Sequence, residues 1–196
     1  MDQDDAPLGY DLAHLIIGHH TVSHPAAHGA HEYICARSPD KGTAAITIKQ
    51  TYPTSTNIDL VQRDLTNLTS PASSQPPTTS SPSKPPCTAQ SITQDIMATP
   101  LELTKDRHEA QRQTNYLAHW VLTNHLLPLM LRTAKLLPTP GQRAHRQPHF
   151  IRPGHLGAPR DGIDFTDLSL GDAGTWQRYG QSKPANILHT KTLHKR

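Results

Sequence analysis

The sequence has little of what usually builds a large dry core. Of its 196 residues only 5% are aromatic and 34% are hydrophobic in the broad sense. These proportions are low for a globular chain and predict that part of it does not pack. Cysteine is nearly absent. Cys35 and Cys87 form neither a close pair nor a metal-type spacing, which excludes a disulfide scaffold and favours a reduced, intracellular setting. No apolar run is long enough to cross a bilayer, since the richest one, "LAHWVLTNHLLPLML", is interrupted by His119, Asn124, His125 and Pro128. The opening "MDQDDAPLGY" lacks the basic start and apolar core of a signal peptide, so a soluble, cytoplasmic protein is expected. Excess charge of one sign is missing too. A net charge of +3 with scattered Lys and Arg excludes a concentrated nucleic-acid footprint.

What is abundant is proline and histidine, with 18 and 14 residues. Residues 71–86, "PASSQPPTTSSPSKPP", contain six prolines and five serines and nothing apolar larger than alanine. Such a stretch cannot bury enough surface to offset its ordering entropy, and a disordered insert is expected over 70–92. His20, His24 and His28 recur at every fourth position, the spacing of one helix face. Pro25 argues against that helix, and no cysteine or carboxylate completes the set, so no metal site is expected.

Between these segments the pattern alternates. "HLIIG" (14–18), "EYICARS" (32–38) and "IDLVQRDL" (58–65) read as short strands, with room for a helix closed by Pro53 between the second and third. Strands alternating with helical segments predict an α/β fold with a parallel sheet. From Thr104, a candidate cap, to Leu137 the spacing of Leu117, Trp120, Val121, Leu127 and Met130 or Leu131 predicts a long helix with an apolar face in the core. "DGIDFTDLSL" reads as a loop, and from about Trp176 the chain is helical again. Tyr179 and Lys183 stand four positions apart there, on one helix face. An ammonium beside a phenol makes it a usable proton donor or acceptor near neutrality.

"QTNYLAHWVLTNHLLPLM", "GHLGAPRDGIDFTDLSL" and "RYGQSKPANILHTKTLHKR" together resemble the central part of a short-chain dehydrogenase/reductase. The resemblance is nearest the branch of retinol dehydrogenases and WW-domain oxidoreductases. "CARSPDKG" and "IDLVQRDLTNL" resemble its second and third strands, and "IMATP" the stretch after its fourth. This implies one Rossmann-like domain over 1–196, incomplete and interrupted by the Pro/Ser insert. It also implies NADP-dependent oxidoreduction of an alcohol/carbonyl pair. On it, Tyr179 matches the acid/base and Lys183 the residue that lowers the phenol's pKa and binds the nicotinamide ribose. Asn115 matches the asparagine that holds a water in the proton relay. Gly18 matches the first glycine of the phosphate turn, Arg37 the contact to a 2′-phosphate, and Asp64 a position beside the adenine. The helix at 104–137 resembles one used for homodimerisation.

The departures from the pattern are as specific. Val22 and His24 stand where the other turn glycines belong, and Pro25 shortens or displaces the helix that follows. "ITQD" replaces Asn-Asn-Ala-Gly before "IMATP", and Ile151, Arg152 and Pro153 offer no hydroxyl where a serine belongs. Pro184 is costly in a helix interior, and a helix that started only there would leave Tyr179 and Lys183 outside it and out of alignment. These features imply weak or lost NADP binding, and an inactive relative with only an interaction role as the alternative to an enzyme.

Overall fold

The computed structural model describes residues 21–23, 25, 27–28, 30–36, 58–70, 87, 90–92, 95–136 and 153–194. The expected first strand at 14–18 and the crossover closed by Pro53 lie outside these, as do residues 71–86 of the insert. The chain divides into two compact units, Met1–Arg63 and Asp64–Arg196.

In the first unit, β1 (Glu32–Ala36) and β2 (Ile58–Gln62) pair in parallel, with Glu32 opposite Ile58 and Ala36 opposite Gln62. Both runs are rich in the β-branched and aromatic residues that suit a pleated sheet. Parallel strands need a long crossover between them, and residues 37–57 supply its length. Residues 21–23, 25 and 27 are helical, so the expectation that Pro25 would stop a helix here is corrected. His31 stacks on Tyr33, with ring centroids 4.8 Å apart, and its Nε2 lies 3.0 Å from Asp59 Oδ2.

Glu32 carries the clearest electrostatic signature of this unit. Desolvation pushes its carboxyl up to about 7, and its Oε2 is buried without a hydrogen-bond partner. A carboxyl with a raised pKa holds its proton more tightly when folded, so stability is greatest below pH 4.5 and falls as pH rises towards 7. Because the residue is only part-buried, water screens the effect, and about 1 kcal/mol is expected across that window. Denaturant unfolding at pH 4.5 and 7.5 should therefore show wild type losing about that much more than Glu32→Gln. Equal losses would remove Glu32 from the account.

The second unit is built on helices. α1 (Ala110–Arg112) passes through one π-helical segment, Gln113–Leu117, into α2 (Ala118–Leu136). A five-residue 3₁₀ segment, Pro153–Gly157, precedes α3 (Thr175–His194). The long helix starts at Ala110, not at Thr104. Glu109 caps it, its two carboxylate oxygens accepting from the amides of Gln111 (3.1 Å) and Arg112 (2.7 Å). Glu109 is buried and its Oε1 lies 3.7 Å from the buried Arg178 Nε, so one carboxylate serves both cap and ion pair. Asp106, just before the helix, ties the chain at 68–69 to it. Burial raises its pKa, but hydrogen bonds from Leu68 N, Thr69 and Gln113 outweigh this and hold it low.

The buried face of α1–α2 is largely polar, although Met130, one of the expected apolar positions, is buried on it with Ala110 and Ala118. Gln111, Gln113, Asn115 and Thr123 are fully buried, whereas Trp120 and Leu131 are about half exposed. The glutamines act as fasteners. Gln111 Oε1 accepts from Ala98 N (2.8 Å) and its Nε2 donates to Thr175 O (3.1 Å), while Gln113 Nε2 donates to Leu65 O (3.1 Å). Gln90, placed in the disordered insert by its sequence context, is buried and donates to Thr123 Oγ1 (3.4 Å).

Candidate active site

α3 begins at Thr175, close to the expected start near Trp176, and runs unbroken through Pro184, so the late start that a first-turn proline would allow does not occur. A proline in a helix interior costs on the order of 3 kcal/mol, and tertiary bonds on both sides of it offset that cost here. Gln181 accepts from Asp164 N (2.7 Å) and donates to Leu168 O (3.1 Å), and Asn186 Nδ2 donates to Asn115 O (2.8 Å). The residue one turn before the proline is Gly180, and the backbone of Gly157–Ala158 packs directly against it.

Tyr179 and Lys183 are consequently one helical turn apart on the same rigid element. Both are buried, with Tyr179 1% exposed. Lys183 Nζ lies 4.4 Å from the centroid of the Tyr179 ring. The ring packs against Gly154, where any Cβ would stand 2.5 Å from Cε1, and meets Trp176 edge-on. Asn115 reaches the same place from the π-helical segment, a local widening often found at functional sites. Its Oδ1 accepts from Ile96 N (2.9 Å) and its Nδ2 donates to Ile96 O (2.8 Å). Nδ2 also lies 3.4 Å from Ser182 Oγ, which donates to Tyr179 O (2.7 Å). Both polar atoms of the Asn115 side chain are thus engaged by protein.

The residue that sequence reasoning missed is Asp95. Its Oδ2 accepts from Lys183 Nζ at 2.6 Å and from Tyr179 Oη at 3.1 Å. "ITQD" marked this segment as a departure, but nothing in it announced a partner 88 residues away. Of the other sequence-predicted positions, Asp64 is the one among the described residues, and it is engaged elsewhere. Asp64 accepts from the amide and hydroxyl of Thr66 (2.9 and 2.7 Å) and so closes a turn. Gly18 and Arg37 lie outside the described residues, as do Ile151 and Arg152; Pro153 opens the 3₁₀ segment. Among the described residues no group of His, Cys, Asp and Glu is placed to hold a metal, and no helix is long and apolar enough to cross a membrane.

No family model matches the chain. Curated relatives do. The chain is 44% identical, over 182 residues, to the short-chain dehydrogenase/reductase drtF of Aspergillus calidoustus, covering 91% of this chain and 56% of the relative. The chain belongs to the short-chain dehydrogenase/reductase family. It is also 48% identical over 103 residues to an uncharacterized oxidoreductase of Schizosaccharomyces pombe, covering 52% of this chain and 30% of that one. Among solved structures it resembles an uncharacterized protein from Mycobacterium paratuberculosis, with 25% identity and a TM-score of 0.66. That likeness covers 91% of this chain and 57% of the other. The chain thus spans little more than half of drtF and less than a third of the S. pombe relative. The α/β class expected from the alternating pattern stands.

The family implies a nicotinamide dinucleotide, and the residues at the centre do not fit one as they are arranged. A ribose hydroxyl needs the Lys183 ammonium, but that side chain is 4% exposed and already bound to a carboxylate.

Proposed function

We propose that this chain is a Rossmann-like short-chain dehydrogenase/reductase that interconverts an alcohol and a carbonyl compound with NADP. One observation carries the reading. Tyr179 and Lys183 lie one turn apart and buried on an unbroken helix, with Asn115 bonded to Ser182 between them. A phenol with an ammonium beside it suits proton transfer to a carbonyl oxygen or from an alcohol, worth about 10²–10⁴ in rate when well positioned. The test is NADPH-dependent reduction of a panel of aldehydes and ketones, with the product alcohol identified by mass spectrometry. Product above the enzyme-free rate supports the reading, and its absence throughout the panel, also after Asp95→Ala, defeats it.

A second reading, a relative without catalysis, is favoured by the Asp95 carboxylate on both donors. The two readings share a prediction about the cofactor. With Lys183 engaged, dinucleotide affinity rests on other contacts, and a single solvent-exposed arginine–phosphate pair contributes only about 0–1 kcal/mol. Binding of NADPH weaker than about 100 μM, or roughly −5.5 kcal/mol, is expected by calorimetry. A low-micromolar constant for wild type would contradict it. A homodimer through the helix at 104–137 is supported by the exposed Trp120 and Leu131 on α2.

A further inference from the structure

We propose that Asp95 is an internal latch, a carboxylate of this chain occupying the two donors, Tyr179 Oη and Lys183 Nζ, that a bound ligand's oxygens must reach. The geometry is that of a competitor. One oxygen, Oδ2, takes both donors at 3.1 and 2.6 Å. The backbone that presents it is fixed, because the next residue, Ile96, has both its amide and its carbonyl bonded to Asn115. Asn115 is fixed in turn through its own carbonyl by Asn186. The asparagine matched to a water-holding role therefore acts here as a positioning residue for Asp95.

The latch is not fully satisfied. Asp95 Oδ1 is buried without a hydrogen-bond partner, and leaving a buried acceptor unmade costs about 1–3 kcal/mol. The ion pair to Lys183 is accordingly less favourable than its short distance suggests, and an incoming acceptor that satisfies both donors can displace it. Any such ligand must offer oxygen lone pairs to a phenol and an ammonium together. Sugar hydroxyls and a substrate carbonyl do so. The inference rests on the oxidoreductase reading only for the identity of that ligand.

Two readouts on Asp95→Ala and Asp95→Asn separate the latch from the ligand. The first is the phenolate absorbance of Tyr179, assigned by subtracting the same titration of a Tyr179→Phe chain. Among the described residues, the charged groups shown in contact with the phenol are Asp95 and, from its own helix, Lys183. Removing the carboxylate removes a charge that disfavours the phenolate and leaves the Lys183 ammonium that favours it, so the phenol should ionise about one pH unit or more lower in both variants. The second readout is NADPH affinity by calorimetry, expected to rise at least about tenfold in Asp95→Ala. Asp95→Asn keeps the shape of the side chain and guards against a folding defect. Both changes together support the latch. An unchanged phenol in both variants overturns it. A shifted phenol without any gain in NADPH affinity upholds the latch and overturns the dinucleotide reading of the site.

Discussion

Gly180→Ala is expected to lower the stability of this chain by about 2–3 kcal/mol, although glycine to alanine within a helix ordinarily stabilises by about 1 kcal/mol. The reversal comes from the close approach of α3 to the segment before it. A Cβ on residue 180 would stand 2.3 Å from Gly157 C and 2.4 Å from Ala158 N, both backbone atoms that cannot rotate away. Relief requires the helix to lift, which also pulls Tyr179 and Lys183 from Asp95. For a chain of this length the expected fall in melting temperature is about 5–10 °C. Gly174→Ala is the control. Nothing lies within 4 Å of its added Cβ, and a change within about 1 kcal/mol is expected. A Gly180→Ala chain as stable as wild type would mean that α3 does not pack here as described.

Tyr179→Phe should carry the largest effect on chemistry. The ring, its seat against Gly154 and its edge contact with Trp176 remain, and only the hydroxyl is lost. Stability should fall by about 1 kcal/mol for the missing bond to Asp95. The rate of carbonyl reduction should fall by about 10²–10⁴, because the group that moves the proton is gone. The loss should lie in kcat, with KM little altered, since the phenol acts on charge that develops during reaction. Retained kcat in the phenylalanine chain would assign the proton to another group.

Much of this was legible in the sequence, and the misses share a cause. β1 and β2 followed from local runs such as "EYICA" and "IDLVQ". The pairing of Tyr179 with Lys183 followed from helical spacing. Errors arose wherever a distant partner overrode a local rule. Thr104 looks like a cap, but Glu109 takes that role because it also neutralises Arg178. Leu131 and Trp120 look like core, but the buried face belongs to Gln111, Gln113 and Asn115, whose amides fasten segments the pattern cannot see. Pro184 looks like a break, yet side-chain bonds from 181 and 186 hold the helix across it. Asp95 looks like part of a lost Asn-Asn-Ala-Gly segment and turns out to face the reactive pair.

Asp95 restrains this centre by holding Tyr179 and Lys183 together, and its effect on the reaction requires the Tyr179 hydroxyl. This central claim is tested most directly by NADPH-dependent reduction rates for four chains: wild type, Asp95→Ala, Tyr179→Phe and the double variant. Substitutions acting through one group are strongly non-additive. Asp95→Ala should speed the reaction in the tyrosine background and change little in the phenylalanine background, where both chains stay slowed by about 10²–10⁴. An acceleration by Asp95→Ala of the same size with phenylalanine at 179 would contradict the claim.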